Sequence, residues 1–176
     1  MAIGASVMHE FESDVSHLVG GCVGSNIAIL GIGNELRRDD AVGLAVVDRL
    51  SFFVDDPSIV LLNCQNVPEN FTGYVKRFRP TCVVLIDAAD FGAVPGNARI
   101  FQLNDLESPE ITTHRASLTM LGAYLQSETN SSVFVIGIQP ADCDFGSGLS
   151  PSVRRASVAV ADTIGTVLNR FRVKKG

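Results

Sequence analysis

Cys82-Val83-Val84-Leu85-Ile86 is an unbroken apolar run that ends on a carboxylate, Asp87. A strand with one wet face alternates apolar and polar residues, because successive side chains point to opposite sides of the sheet. An unalternating run needs apolar cover on both faces, so this strand belongs in a sheet interior with helices above and below. A second apolar run, Ile27-Ala28-Ile29-Leu30, fits the same layered plan.

Strand-like and helix-like segments alternate along the whole chain. Strands are predicted at 27–31, 58–62, 82–87, 99–103 and 133–138, and helices near 6–19, 41–53, 68–77, 114–127 and 151–170. The first helix is read from Val7, Phe11, Val15 and Leu18, and Gly20-Gly21 stops it. The strand at 99–103 follows its predecessor too closely for a crossover helix and is expected to be antiparallel. The expected fold class is α/β: a single-domain three-layer sandwich with a twisted, mostly parallel sheet of about five strands, one of them antiparallel, and helices on both faces. Residues 1–26 read as an N-terminal helical extension and 27–176 as the α/β domain.

Composition narrows the function classes. With 176 residues, 46% of them hydrophobic, the chain can build one sizeable core. A net charge of −5 with 14 Lys and Arg argues against nucleic acid as a partner. No apolar run approaches the roughly 20 residues that span a bilayer. The stretch before Gly20 carries Glu10, Glu12 and Asp14 and has no secretory pattern. Cys22, Cys64, Cys82 and Cys143 are scattered without a CxxC pair, which gives neither a zinc signature nor a disulfide framework. A reduced, cytoplasmic protein is the expectation. Cys82 reads as core. Cys64 and Cys143 fall in loops after strands, where a redox or ligand role competes with the commoner buried and inert one.

The segment Gly31 to Gly43, GIGNELRRDDAVG, joins the first strand to the first helix of the domain. A glycine turn feeding a helix suggests a phosphate cradle, but Asp39 and Asp40 at the helix mouth would repel a phosphate and attract a cation or a proton. A dinucleotide fingerprint would need a third glycine where Leu36 stands. It would also need an acidic residue after the next strand, where Asn63 and Cys64 stand. The loop reads as a carboxylate site.

In such sheets ligands bind outside the carboxyl ends of the strands. Asp39 and Asp40 follow the first strand, Asp87 ends the most apolar one with Asp90 three residues on, and His114 opens a helix after the loop 104–113. Two carboxylates and an imidazole there would make an oxygen-rich site with one nitrogen ligand, suited to a divalent transition ion. Structural alternatives stand beside each: Asp39 as a helix N-cap, Asp40 in the helix dipole, His114 as a capping or packing group. Asp87 is harder to assign structurally, because a carboxylate closing a buried strand needs partners or an open cleft. Arg37-Arg38 and Lys76-Arg77-Arg79 read as solvated faces, or one set steers an acidic partner. Glu69 suits a first helical turn after Pro68, and Asp142 and Asp144 flank Cys143 where they can line a cleft. Ser117 near His114 invites a hydrolase pair, but no GxSxG elbow presents a serine nucleophile.

The Gly31–Gly43 segment resembles the opening motif of the nickel–iron hydrogenase maturation proteases, where a strand runs into Gly-Val/Ile-Gly-Asn and then an acidic pair and a glycine. Further matches in order are Val67-Pro68-Glu69-Asn70, Arg79-Pro80, the run 83–88, Pro95-Gly96, Thr112-Thr113-His114, Gln139-Pro140 and Leu149-Ser150-Pro151. The likeness extends from Ile27 to about Arg170 and is nearest to the formate-hydrogenlyase and archaeal branch. It implies an endopeptidase, aspartic in type, that removes the C-terminal extension of a hydrogenase large-subunit precursor after nickel insertion. Asp40, Asp87 and His114 fall on the positions that the family uses to hold nickel, with Asp40 and Asp87 the candidate catalytic carboxylates. By the same resemblance nickel is recognised in the substrate, the protease holds no tight metal of its own and no other cofactor, and the precursor is its partner. Rival readings are a nickel-site-sensing scaffold protein without turnover and a metal-dependent hydrolase of small molecules. The acidic pair with Asp87 and His114 favours the endopeptidase. Two features depart from the family: Asn63-Cys64-Gln65 replaces an Asp-Gly-Gly turn, and the N-terminal extension is longer than in bacterial members. The extension's pattern fits a helix over the sheet or the cleft edge; a dimer contact is the alternative to the expected monomer.

Overall fold

The computed structural model describes residues 5–22, 25–107 and 115–173. Five strands form one sheet in the order β2-β1-β3-β5-β4. β1 (Ile27–Gly31), β2 (Ile59–Asn63), β3 (Cys82–Ala88) and β5 (Ser132–Ile138) are parallel, and β4 (Ala98–Gln102) pairs antiparallel with β5. The antiparallel turn follows from chain length, since only residues 89–97 separate β3 from β4 and a crossover needs about a dozen or more.

Helices α1 (Ala5–Gly20), α2 (Val42–Leu50) and α5 (Pro151–Val173) cover one face of the sheet; α3 (Thr72–Phe78) and α4 (Arg115–Thr129) cover the other. The period of two divides each central strand between two cores. Ile27, Ile29, Val84, Ile86, Ile136 and Ile138 meet the first helical layer, whereas Ala28, Leu30, Val83, Leu85, Val133 and Val135 meet the second. β3 is buried at every residue, as its unalternating sequence requires.

Two helices differ from their expected extents. Residues 38–41 form a 3-10 turn before α2, and Pro68–Phe71 form another before α3. α3 stops because Arg79 adopts a left-handed conformation (φ 53°), its N–H bonded to the Val75 carbonyl at 3.2 Å, and Pro80 cannot continue the helix. The N-terminal helix α1 packs on α5 through Phe11, Val15, Leu18 and Val19, all buried, with a Glu12–Arg170 ion pair of 2.7 Å beside them. It lies over the sheet on the face opposite α3 and α4, and its apolar stripe is used within the chain.

Candidate active site

The loop after β1 is shaped by backbone contacts that leave no room for side chains. A Cβ on Gly33 (φ +148°) would lie 1.9 Å from the carbonyl oxygen of Asp40. One on Gly43 would lie 2.1 Å from the Ile86 oxygen and 2.4 Å from the Ile32 oxygen. The glycines therefore let the 3-10 turn and the start of α2 fold directly over the ends of β1 and β3. That fold-back brings Asp40 to Asp87, although the two are far apart in sequence.

The pair is buried and incompletely bonded. Asp87 is 0% exposed; its Oδ1 accepts the Ala88 N–H at 2.9 Å, and its Oδ2 has no partner. Asp40 is 7% exposed, and its Oδ2 is likewise unpartnered. Burial, and next the charge of Asp40, push the Asp87 carboxyl well above the usual carboxylate range; the Ala88 N–H opposes them weakly. Buried polar atoms without partners are rare in native folds because each costs the desolvation of the group. Two of them, near enough for the Asp40 charge to act on Asp87, make a place for a shared proton, a cation or a substrate donor.

Asp39, adjacent in sequence, has a different role. No side-chain bond caps either the 3-10 turn or α2, so the expected N-cap does not form. The carboxylate instead crosses to the loop after β5: Oδ2 accepts the N–H groups of Ala141 (2.9 Å) and Asp142 (3.0 Å), and Oδ1 that of Ser150 (2.6 Å). Ser150 immediately precedes α5, so Asp39 lies at the positive end of that helix dipole. It clamps the two loops that flank the pair.

A cavity of about 730 Å3 opens from Asp40 toward α3 and α4. Its floor is Ile32 and Gly33, one wall Pro68, Glu69 and Thr72, the other Ser117, Leu118, Met120, Leu121 and Tyr124 of α4; Asn34, Arg37 and Asp40 close one end. The apolar wall from α4 was not anticipated from sequence, although its signal is there: residues 117, 120, 121 and 124 repeat at helical spacing as a second stripe beside the core-facing Leu118 and Leu125.

The remaining candidates separate cleanly. Of the two adjacent arginines, Arg38 pairs with Asp142 at 2.6 Å, whereas Arg37 lines the cavity with its Nε on the Cys143 carbonyl at 3.1 Å. Asp142 and Asp144 do not line the cavity; Asp142 also accepts the Asp144 N–H at 2.8 Å and so braces the loop. Asp90 is bonded to Gln139 Nε2 (3.0 Å) and the Gly92 N–H (3.1 Å), which hold its carboxyl below the usual range. Gln139, through Oε1, also accepts the Phe91 and Ala93 N–H groups and fixes the β3–β4 loop. Burial pushes the Cys64 thiol up to about 12. Burial first, then Asp40, Asp39 and Asp142 against the opposing Arg37, push Cys143 up to about 11. Both cysteines therefore stay protonated and suit no nucleophilic role. Glu69 and Ser117 line the cavity as exposed groups. On the rim, Asn63 donates to Asp48 (2.8 Å) and Gln65 to Glu35 (3.3 Å), so the loop that departs from the family pattern is held by amide bonds. His114 lies outside the described residues. Among those described, no three His, Cys, Asp or Glu groups cluster closely enough to hold a metal, and no helix is long and apolar enough to cross a membrane.

Residues 44–167 match the HycI-type hydrogenase maturation protease family. The chain is 30% identical over 156 residues to a Methanocaldococcus jannaschii protein described as a candidate hydrogenase maturation protease, covering 85% of this chain and 92% of that one. It is 27% identical over 149 residues to the hydrogenase 3 maturation protease of Escherichia coli K12, with 84% and 90% covered. The crystal structure of the NiFe hydrogenase maturation protease HycI from Thermococcus kodakarensis superposes with a TM-score of 0.80 at 30% identity, covering 89% of this chain and 99% of that one. Sequence and fold thus agree: the chain belongs to the hydrogenase maturation protease family.

Proposed function

We propose that this protein is an endopeptidase that removes the C-terminal extension of a nickel–iron hydrogenase large-subunit precursor once nickel has been inserted. One observation carries the reading: two buried carboxyl oxygens, Asp40 Oδ2 and Asp87 Oδ2, lack partners, and Asp40 lies at the end of an open cavity, in a chain of this family. The nickel is part of the substrate and serves recognition. Asp40 and Asp87, with His114 as the third contact, complete the surroundings of an ion already held by the precursor. Few and hard ligands suit such sharing, because they bind a thiolate-held nickel weakly and let it go with the product.

The carboxyl pair also fits aspartic-type hydrolysis. Asp40 lines the cavity, where it can take a proton from an attacking water. Asp40 can pass that proton on to the departing amine, while Asp87, buried and off the cavity lining, retains its own at a pH where an ordinary carboxyl has lost it. Water then adds to the scissile carbonyl carbon, the C–N bond breaks, and a carboxylate and an amine result. Cytoplasmic action follows in this reading, because the precursor is met where nickel is inserted. The test is incubation of the purified protein with nickel-loaded and nickel-free precursor, read by intact-mass spectrometry. Loss of the extension only from the nickel-loaded form is expected; no cleavage of either form overturns the proposal.

A further inference from the structure

We propose that the trough between α3 and α4 is a subsite for a large apolar side chain of the substrate, placed within a residue or two of the scissile bond, and that Met120 and Tyr124 of α4 set this preference. The inference rests on the endopeptidase reading and names what that site selects.

α4 carries more apolar surface than the core uses. Leu118 and Leu125 are buried, while Met120 is 73% and Tyr124 42% exposed, and both face the cavity that ends on Asp40. Scattered surface apolar residues need no explanation, but here they line a concavity that reaches Asp40, whose Oδ2 is unpartnered, the usual make-up of a ligand site. The wall is held in place. Lys76 Nζ lies 5.6 Å from the Tyr124 ring centroid, donates to its Oη at 3.3 Å, and is itself paired with Glu128 at 2.8 Å. Met120 adds an unbranched, adaptable side chain at the mouth.

The closed end fits a peptide occupant. The Arg37 guanidinium is tethered through Nε to the Cys143 carbonyl and forms no carboxylate pair among the described residues. Its other N–H groups can donate to a peptide carbonyl beside Asp40. The occupant must therefore bring a backbone carbonyl for Arg37, a cation or donor for the carboxyl pair, and apolar bulk for the α4 wall. In the proposed substrate a single extended chain brings all three. A cavity of about 730 Å3 has room for such a segment.

The test compares wild type with Met120→Leu, Met120→Glu and Met120→Lys on nickel-loaded precursor, with kcat and KM read from intact masses and thermal melts as the control for folding. Met120 is exposed, so these changes leave the core untouched. Met120→Leu, which keeps the apolar bulk, is expected to lose far less kcat/KM than Met120→Glu. Met120→Glu is expected to lower kcat/KM by about 10–200-fold, the range for mismatched apolar pockets, and to do so through KM. A precursor whose large apolar residue flanking the scissile bond is changed to Asp should lose a similar factor with wild type and regain about tenfold with Met120→Lys. Wild-type kinetics in Met120→Glu, a loss confined to kcat, or no rescue by Met120→Lys each overturn the subsite. In all three results wild type still cleaves, so the endopeptidase reading survives; failure of wild type to cleave overturns both.

Discussion

Replacing Asp39 with Asn should cost about 3.5–6 kcal/mol of stability, because the carboxylate accepts three backbone N–H groups and an amide cannot. Hydrogen bonds to a charged group contribute about 1.5–3 kcal/mol each, and neutral ones about 0.5–1.5. If the Asn oxygen turns to Ala141 and Asp142, its NH2 opposes the Ser150 N–H, which sits only 2.6 Å from the present acceptor. One charged bond is then lost and two become neutral. The other rotamer loses two and leaves both donors facing a donor. For a chain of this length each kcal/mol moves Tm by about 2–4 °C, so a fall of about 7–24 °C is expected. Urea and thermal denaturation followed by far-UV circular dichroism measure it, and hydrogen exchange should show faster opening at 141–150. Cleavage per folded molecule should fall less than for Asp87→Asn. A Tm within about 2 °C of wild type would refute the clamp.

Asp87→Asn should abolish processing yet raise stability at neutral pH. Because the folded-state pKa is raised, Asp87's contribution is fully present below its ordinary value of 3.8 and is lost as pH rises toward the elevated one. The amide cannot ionise, so its advantage should appear at pH 7 and shrink toward pH 4; melts showing the reverse trend contradict this origin. Gly33→Ala should destabilise by about 3 kcal/mol or more, through a positive φ and a Cβ 1.9 Å from the Asp40 carbonyl oxygen, and is checked by denaturant midpoints. Chelator-treated protease should cleave nickel-loaded precursor at full rate and nickel-free precursor not at all, even after preincubation of the protease with nickel. Restored cleavage by metal-loading the protease alone points instead to an ordinary metallopeptidase.

The layered fold was legible because its rules are local. β3 shows two-sided burial as an unbroken apolar run, the helices show their spacing, and the short link 89–97 dictates the antiparallel β4. The edge of the sheet that holds Asp40 and Asp87 was legible too, since parallel strands share a direction. What neighbouring letters do with the same chemistry was not. Asp39 and Asp40 are both buried carboxyls, but one is saturated by N–H groups 102, 103 and 111 residues away and the other retains an unpartnered oxygen. Arg37 and Arg38 divide in the same way, one turned to the cavity and one to Asp142. Periodicity reports which face of an element a side chain takes; which atoms meet it there depends on distant segments, and only the tertiary structure brings those together.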